Sequence, residues 1–354
     1  ALLVPTAETV RLQYFMRLLL ESTQPLMLVG GVGTGKTTIV NDLLATLPET
    51  FVSASVPLHY YSTSSTLQKL LERPLEKKAG RKYAPSGNKR LIYFVDDMNM
   101  AATDSYGTVQ PHALIRQHLD YKHWYDTQKL FRKDIHNTQY IACLNPQAGS
   151  YAISPRLQRH FSVLAVNNPT HEALSTIYSS IVSLHIQSLP FNTAVARSVP
   201  SVVQAAIALH DRVIHNFLPS VNKFHHLFSL WDLSQLFQGL LLSRPECVTH
   251  SSDLVQLWVH ESRRVYSDRI ADTADLQLFH RLQKEIVQQV FEKPLVLQEP
   301  LIYLHSSKGG MEPCYCPVDG WEKLRSTLTA ALDTYNQLHS TMNLVLFQEA
   351  MQHV

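Results

Sequence analysis

Two patterns of apolar residues divide the chain into a mixed first part and a helical second part. Up to about residue 190, short apolar runs without strict alternation are separated by segments with helical spacing; the runs are Leu26–Val29, Leu91–Val95, Tyr140–Leu144 and Phe161–Val166. Strands that are apolar on both faces are typical of a parallel sheet with helices on either side. The pattern therefore predicts a doubly wound α/β domain over residues 1–190.

From about residue 195 the apolar positions take helical spacing over long segments. They predict a helical domain over residues 191–354, with helices at Val202–Phe217, Leu230–Leu242, Leu254–Ile270 and Leu276–Phe291 and a last helix from about Gly320. Between these helices, the stretch Leu301–Pro317 contains Gly309, Gly310 and two prolines and is expected to be rich in loops.

Two further segments carry weaker signals. The basic stretch Glu76–Arg90 contains Gly80, Pro85 and Gly87, so we expect a solvated loop before the strand that follows. The segment Met342–Phe347 continues an amphipathic helical pattern near the end of the sequence, and residue 1 is not Met. We expect the chain to be a piece of a longer polypeptide.

A glycine-rich turn follows the first apolar run and precedes the first helix. Residues 30–37 read Gly-Gly-Val-Gly-Thr-Gly-Lys-Thr and match G-x-x-x-x-G-K-[ST] in the strand–loop–helix setting that this motif needs. The backbone N–H groups of such a loop surround phosphate oxygens, assisted by the helix N-terminus. Lys36 is expected to reach the β- and γ-phosphates and the Thr37 hydroxyl to bind Mg²⁺. A flexible glycine-rich turn is the alternative.

Polar residues end the next two apolar runs. Asp96 and Asp97 follow the second run, where Asp96 is predicted to lie in the Mg²⁺ shell and Asp97 to orient an attacking water. Without the phosphate-binding loop, two such aspartates would indicate only the start of a loop. Asn145 follows the third run and could hydrogen-bond water or the γ-phosphate. A turn-capping Asn is the other interpretation.

Composition and charge exclude several classes of protein. With 354 residues, 45% of them hydrophobic and only 12 Gly, the chain can form two or three packed units, which excludes disorder, collagen and a small disulfide scaffold. A net charge of +2 provides no broad positive field for nucleic acid. No apolar run approaches the length of about 18 residues that a membrane span needs, and no signal peptide is visible. We expect neither nucleic acid nor a membrane as a partner.

The cysteines are sparse for this length, which fits a reducing, cytosolic setting; they are Cys143, Cys247, Cys314 and Cys316. Cys314 and Cys316 could form half of a zinc site, but no second Cys or His pair has a matching spacing. We therefore expect thiols on a surface loop.

The histidines do not form a metal-binding motif. Among the 18 histidines, the groupings that most suggest a metal site are His225 with His226 and His210 with His215, and neither has a carboxylate at a suitable spacing. The pair His260 and Glu261 begins like a zincin helix but lacks the second His. We expect surface or packing histidines and no protease.

Further segments extend these motifs along the whole chain: Lys89–Met100, Tyr106–His112, Leu114–His118, Trp124–Asp126, Asp134–His136, Arg156–Phe161, Phe237–Leu240, Trp258–Glu261 and Met342–Phe347. Together they resemble the AAA+ ATPases, and more closely the third AAA+ module of axonemal, outer-arm-type dynein heavy chains. In that family six such modules form a ring in one polypeptide. The resemblance implies a P-loop NTPase (AAA+) fold, a doubly wound parallel sheet, with a C-terminal α-helical lid and an extension leading to the next module.

The resemblance also implies roles for particular residues. The Walker A residues would be Gly30, Gly31, Val32, Gly33, Thr34, Gly35, Lys36 and Thr37, followed by Thr38. Asp96 and Asp97 would be the Walker B residues, with Mg²⁺ held by Thr37 and Asp96, and Asn145 would be sensor I. Arg159, or less favourably Arg156, would be the arginine finger that completes the nucleotide site of the preceding module. This chain's own site would need an arginine from the following module.

Two positions depart from the family's pattern. Asp97 stands where AAA+ sites with fast hydrolysis usually have Glu, and a misplacement of about 1 Å can lower a rate about 100-fold, so we expect slow hydrolysis. Trp231 stands at the sensor II position, which is usually Arg, and Trp cannot form a charge-assisted bond to phosphate. We expect nucleotide binding to survive and nucleotide-dependent closure of the lid to be weakened.

The function implied by the resemblance is a module that binds ATP or ADP with Mg²⁺ and regulates the motor cycle of a dynein ring in microtubule-based ciliary movement. The implied partners are the adjacent AAA+ modules and, through other parts of the complex, dynein intermediate and light chains and microtubules. The implied location is the cytoplasm, the cytoskeleton and the axoneme of the cilium. A structural spacer with occluded or no exchangeable nucleotide is the alternative. An independent AAA+ ATPase that assembles as a homo-hexamer fits the whole-chain resemblance less well.

Overall fold

The computed structural model describes residues 3–87, 89–146, 153–291, 301–306, 314–318 and 320–353. The chain forms two compact units, Ala1–Pro169 and Thr170–Val354. Each unit has its own hydrophobic core.

Strands and helices alternate along the first unit. Its strands are β1 (Leu26–Val29), β2 (Phe51–Pro57), β3 (Glu76–Lys77), β4 (Lys82–Ala84), β5 (Arg90–Asp96), β6 (His123–Tyr125), β7 (Arg132–Ile135), β8 (Thr138–Leu144) and β9 (Ser162–Ala165). Its helices are α1 (Ala7–Glu21), α2 (Lys36–Ala45), α3 (Ser64–Glu72), α4 (Gln110–Tyr121) and α5 (Pro155–Gln158). The core sheet has the order β2-β5-β8-β1-β9, and every neighbouring pair in it is parallel.

Helices cover both faces of the core sheet. Alternate strand residues point to opposite faces, so Tyr93 and Ala142 join the hydrophobic cluster of α3 and α4. Their neighbours Phe94 and Cys143 join the cluster of α1 and α2 instead. The predicted doubly wound α/β fold is confirmed, because strands without alternation are buried on both sides.

The basic stretch from residue 76 to residue 90 differs from the predicted loop. It is mostly exposed, as expected, but β3 and β4 pair antiparallel and β4 continues beside β7 and β6 in a second small sheet. The buried ammonium of Lys133 on β7 pairs with Glu72 at 3.0 Å and Asp126 at 2.8 Å, which ties this sheet to the end of α3. The loop prediction was wrong because backbone pairing with a distant strand leaves no periodic signal in a short polar run. Asn88 lies outside the described residues.

The second unit is mainly helical. Its helices are α6 (His171–Ser188), α7 (Thr193–Asn216), α8 (Leu230–Leu240), α9 (Ser251–Tyr266), α10 (Thr273–Val290), α11 (Trp321–Leu338) and α12 (Gln348–His353), with a 3₁₀ turn at Ser267–Arg269. Side chains from α6 to α10 form its main core, which confirms the predicted helical domain. Helix α7 begins before the predicted start at Val202, because Asn192 caps it. Pro200, a residue that usually indicates a helix boundary, lies inside this helix.

Two predicted features of the second unit were wrong. The loop-rich stretch contains a hairpin of β10 (Tyr303–Ser306) and β11 (Cys314–Pro317), which pair antiparallel; Gly309 and Gly310 lie outside the described residues. The segment from residue 342 to residue 347 is not helical. The Asn336 side chain accepts from the Met342 N–H at 2.7 Å and donates to its carbonyl at 3.1 Å, so this backbone pairs with a side chain instead of continuing a helix.

Helix α6 lies in the second unit, although the sequence-based boundary at residue 190 placed it in the first domain. Its buried face, which includes Tyr178 and Val182, packs in the core with α7 and α8. The Tyr178 ring stacks on the Phe237 ring at 4.0 Å between centroids. The position at which a functional lid begins stays a prediction. In the described part of the chain, none of the helices combines the length and apolar character that a bilayer crossing needs.

Candidate nucleotide site

The glycine-rich loop connects the end of β1 at Val29 to the start of α2 at Lys36. Gly33 and Gly35 have φ values of +77° and +86°, a region that residues with a Cβ rarely enter. A Cβ on Gly30 would lie 2.3 Å from the carbonyl oxygen of Val166, just after β9. The loop therefore closes tightly against the sheet only with glycine at these positions.

The other loop residues divide between the inside and the surface. Thr34 is buried and its hydroxyl donates to the Gly31 carbonyl at 3.1 Å. Val32 is exposed at the tip of the loop, and Thr38 is half-buried in the first turn of α2. The loop thus holds its shape through internal contacts, and its helix end presents N–H groups of the kind that bind phosphate.

The Lys36 ammonium lies against this loop. Its Nζ donates to the carbonyl oxygens of Gly30 at 2.9 Å and Gly31 at 2.7 Å. Burial lowers the pKa of Lys36, and the neighbouring Cys143, Asp97 and Asp96 act in the opposite direction. A partly desolvated cation interacts more strongly with an anion than a fully hydrated one does.

Thr37 and Asp96 meet at the edge of the core sheet. The Thr37 hydroxyl donates to Oδ2 of Asp96 at 3.0 Å, and both residues are accessible to solvent. Hydroxyl and carboxylate oxygens are the ligands that Mg²⁺ prefers. The oxygens of the two residues are suitable ligands for a magnesium ion beside the glycine-rich loop.

Asp97 occupies a restricted backbone conformation. Its φ is +50°, which Asp and Asn tolerate better than most residues. Its N–H donates to Oδ1 of Asp96 at 3.1 Å. Burial and the Asp96 charge raise the pKa of Asp97, while Lys36 opposes them. A carboxylate with a raised pKa is a stronger base and thus a better partner for a water proton.

Asn145 follows β8 at the same edge of the sheet. Its carbonyl oxygen accepts from Nδ2 of the buried Asn99 at 2.8 Å, and the Met98 N–H donates to the Cys143 carbonyl at 3.0 Å. These bonds tie the segment after the two aspartates to the end of β8. The sequence analysis assigned no role to Asn99. The feature that could have indicated one is its position, as an amide residue two positions after the aspartates at the end of β5.

The two arginine-finger candidates lie at α5 and just after it. Arg156 is exposed on α5, and the Arg159 side chain, 64% exposed, pairs through Nη2 with Oδ1 of Asp120 at 3.0 Å. The same carboxylate oxygen is 2.9 Å from Nε2 of His160. Among the described residues, neither arginine has a hydrogen bond or ion pair with the loop residues or with Asp96.

Trp231 lies in the first turn of α8 in the second unit and is 55% exposed. The next residue, Asp232, is buried; its carboxylate accepts from the Ser229 N–H at 2.7 Å and pairs with Arg269. Asp232 thus anchors the start of the helix, and Trp231 does not belong to the core of its unit.

Comparison with known proteins assigns the family. Residues 1–169 match the P-loop containing dynein motor region, and residues 202–301 match the AAA+ lid domain. The chain is 56% identical over 355 residues to dynein axonemal heavy chain 11 of Sus scrofa, an alignment that covers 99% of the chain. It is 49% identical to dynein axonemal heavy chain 9 of Homo sapiens over 100% of the chain, and 42% identical to the dynein alpha chain, flagellar outer arm, of Chlamydomonas reinhardtii over 99%.

The chain belongs to the axonemal dynein heavy-chain family. It spans 8% of the length of each of these relatives. The predicted AAA+ fold with a helical lid is confirmed by the two matches and by the parallel sheet. The dynein AAA+ family is a family of ATPase motors, and nucleotide binding is typical of it.

Proposed function

We propose that the chain is the third AAA+ module of a ciliary dynein motor, which binds ATP or ADP with Mg²⁺, hydrolyses ATP slowly and regulates the motor cycle of its ring. The convergence of Lys36, Thr37 and Asp96 at the carboxyl edge of the core sheet carries this proposal. Open parallel α/β sheets bind their ligands at this edge.

Nucleotide binding follows from the chemistry of the loop. N–H groups of residues 30–38 would bind phosphate oxygens. The Lys36 ammonium, which now donates to the Gly30 and Gly31 carbonyls, would donate to phosphate instead. The Thr37 hydroxyl and the Asp96 carboxylate, whose oxygens are 3.0 Å apart, would hold Mg²⁺. The ion, when bound, supplies positive charge to the phosphate oxygens.

Slow hydrolysis follows from Asp97. Its side chain is one methylene shorter than that of Glu, and its backbone is held by the left-handed conformation and by the N–H bond to Asp96. The carboxylate therefore has little freedom to approach a water at the γ-phosphate, and a shortfall of about 1 Å lowers a rate about 100-fold. Asn145 is proposed as a second group that positions this water.

Arg159 is proposed as the finger for the preceding module, with Arg156 as the second candidate. The Asp120 carboxylate holds the Arg159 guanidinium at the surface, so its rotamer is partly set before it meets a neighbour. In the heavy chain, Arg159→Lys should lower hydrolysis at the preceding module's site and leave nucleotide binding by Lys36 unchanged. Equal ATP turnover at the preceding module's site in the wild-type and Arg159→Lys heavy chains would exclude the finger role.

The wider role rests on the relatives. The names of the relatives given above refer to the axoneme and to a flagellar outer arm, so we propose the axoneme and its cytoskeleton as the location. Adjacent AAA+ modules would be direct partners, while intermediate chains, light chains and microtubules would be reached through other parts of the complex. Residues 1–190 would form the nucleotide-binding domain and residues 191–354 the lid and its extension.

Calorimetric titration with Mg-ATP and Mg-ADP tests nucleotide binding. Lys36→Ala should abolish binding, and Lys69→Ala, which removes an exposed lysine from α3, should retain it. Binding that survives Lys36→Ala, or no binding by a folded wild-type chain, would contradict the proposal.

Release of a fluorescent ADP analogue separates the regulatory role from the spacer alternative. Exchange within seconds to minutes supports a regulatory module. Nucleotide that does not exchange over hours would favour the structural spacer. Fast turnover that disappears in Lys36→Ala would overturn the slow-site interpretation.

A further inference from the structure

Three cysteines from distant parts of the sequence meet in the second unit. Cys247 lies in the turn between α8 and α9, and Cys314 and Cys316 lie on β11. The Cys314 sulfur is 3.2 Å from that of Cys247 and 3.5 Å from that of Cys316. The sulfurs of Cys247 and Cys316 are in direct contact as a disulfide, with their Cα atoms 5.5 Å apart. The expectation of thiols on a surface loop is wrong, because Cys314 and Cys316 lie on a strand and Cys316 is bonded to Cys247. The sequence search missed the group because its third sulfur comes from a single distant cysteine and not from a second pair.

Contacts of β11 and of the turn that contains Cys247 hold the three cysteines in place. Cys314 and Cys316 share one face of β11, since side chains alternate along a strand. On the other face, the Tyr315 hydroxyl donates to Oε1 of Glu261 at 2.6 Å. The turn of Cys247 is held by its N–H bond to the Arg244 carbonyl at 3.1 Å. The sulfurs are therefore brought together by packing and hydrogen bonds of the surrounding chain.

We propose that the reduced thiols of Cys247, Cys314 and Cys316 bind a Zn²⁺ ion. Tetrahedral zinc with Zn–S bonds of about 2.3 Å places its sulfur ligands about 3.8 Å apart. The two distances from Cys314 need only small outward adjustments to reach that separation, and the sulfurs of Cys247 and Cys316 must move apart after their disulfide is reduced. All three ligand atoms lie within 4.8 Å of one another, which meets the spacing a single ion requires.

A thiol reductant first opens the Cys247–Cys316 disulfide, supplying two electrons and two protons that yield two thiols while the reductant forms its own disulfide. Three thiols release three protons to solvent as three Zn–S bonds form. The fourth position is open to Glu246, whose Oε2 lies 3.9 Å from the Cys314 sulfur, or to water. A carboxylate is an accepted zinc ligand, so a Cys₃Glu set is chemically consistent.

A disulfide alone accounts for the cluster less well than a metal does. It uses two sulfurs and assigns no role to Cys314, although that sulfur contacts both of the others. Disulfides are also rare in reducing compartments. Three soft donors held together are what a thiophilic divalent cation selects.

Zinc at this position would fasten the β10–β11 hairpin to the α8–α9 turn, closing a loop of 67 to 69 residues. The hairpin already contributes Tyr303 and Tyr315 to the core of the second unit. The ion would thus stabilise the second unit independently of nucleotide, so that failure of the zinc proposal and failure of the nucleotide proposal are separate outcomes.

Metal content and cobalt spectroscopy test the site. The 354-residue chain, purified with reductant and dialysed after exposure to ZnCl₂, should retain one zinc per chain by mass spectrometry. Replacement by Co²⁺ should produce the intense near-ultraviolet band of thiolate-to-cobalt charge transfer. Cys247→Ala, Cys314→Ala and Cys316→Ala should each weaken zinc affinity by more than about 100-fold, since each removes a direct ligand. Glu246→Gln should weaken it about 10-fold if the carboxylate is the fourth ligand and leave it unchanged if water is.

Cys143→Ala is the matched control, because Cys143 is a buried free cysteine of β8 in the first unit. It should leave zinc content and the cobalt spectrum unchanged. The wild-type chain by itself can overturn the proposal, whatever the variants do. A reduced, folded chain that retains no zinc and gives no thiolate–cobalt band, or that keeps Cys247 and Cys316 as a disulfide under reductant, excludes the metal site.

Discussion

The Thr37 hydroxyl donates to the Asp96 carboxylate across 3.0 Å and joins the first turn of α2 to the end of β5. The two residues are 59 positions apart in sequence, and β8 lies between β1 and β5 in the sheet. The bond therefore depends on the order of three strands. The fold of the sheet, and not closeness along the sequence, brings the two proposed magnesium ligands together.

Thr37→Val should remove the magnesium-dependent part of nucleotide affinity. The variant keeps the shape of the side chain and loses one oxygen ligand. Because a hydrogen bond to a charged group contributes about 1.5–3 kcal/mol, the affinity for Mg-ATP should fall about 10- to 100-fold. Titrations with and without EDTA check this. Thr176→Val, on the exposed face of α6, is the matched control. An equal loss with and without EDTA would argue against a role in metal binding.

Gly30→Ala should destabilise the first unit. The added Cβ would lie 2.3 Å from the Val166 carbonyl, which is backbone and cannot rotate away. Overpacking of this kind costs about 1–3 kcal/mol, and it should also lower nucleotide affinity. Gly107→Ala, at φ +72° with open space around it, should cost about 1 kcal/mol and leave affinity unchanged. Urea denaturation and titration measure the two effects, and equal stability of wild type and Gly30→Ala would refute the close approach.

Asp97→Asn should separate hydrolysis from binding. Asn tolerates a φ of +50° as Asp does, but it cannot accept a proton from water. We expect ATP binding to persist and single-turnover hydrolysis to stop. Asp97→Ala should in addition lower the free energy of unfolding by about 1 kcal/mol, because Ala is strained in the left-handed region. Hydrolysis at the wild-type rate in Asp97→Asn would exclude Asp97 as the water-orienting group.

Stability should fall as the pH drops below about 6.5, in part because of His118. This buried imidazole lies 2.7 Å from the Tyr140 hydroxyl, and burial lowers its pKa from 6.5 to about 3. The unfolded chain therefore binds a proton between these values that the folded chain does not. Its stabilising contribution is complete above the unfolded pKa and is lost as pH falls toward the folded pKa, with a slope of up to about 1.4 kcal/mol per pH unit.

His118→Gln should flatten this dependence in urea denaturation between pH 7 and pH 4. His59→Gln, at an exposed position, is the matched comparison. The buried His112 and His210 and the half-buried His260 also have lowered pKa values, so part of the slope should remain. A slope identical to that of the wild type would show that His118 does not contribute.

Trp231→Arg should change nucleotide preference without changing stability. The side chain is exposed, so the free energy of unfolding should change by less than about 0.5 kcal/mol. The family resemblance assigns position 231 to sensor II, so an arginine there is expected to favour ATP over ADP and to raise the ATP-to-ADP affinity ratio about 10-fold. Trp231→Leu removes the indole without adding charge. The same ratio in the Arg and Leu variants would exclude a sensor II role for this position.

Local patterns in the sequence determined the strand at Leu26–Val29, the glycine-rich loop and its helix, the aspartates after β5 and the helical character of the second unit. Each of these is set by residues that are neighbours along the chain. Apolar spacing reports which faces are buried, and glycine positions report which backbone conformations are needed. The eight consecutive residues of the glycine-rich motif could therefore be recognised from the sequence alone.

The tertiary structure alone decided the Thr37–Asp96 bond, the Asn99 bridge to Asn145, the pairing of β4 with β7, and the meeting of Cys247 with Cys314 and Cys316. Each of these joins groups that are at least 46 residues apart. Their meeting depends on strand order and on the packing of whole helices, because many chain paths satisfy the same local hydrophobic pattern. Spacing along the sequence cannot report such contacts. The family resemblance had paired Thr37 with Asp96 as magnesium ligands, but the group of three cysteines became apparent only in the folded chain.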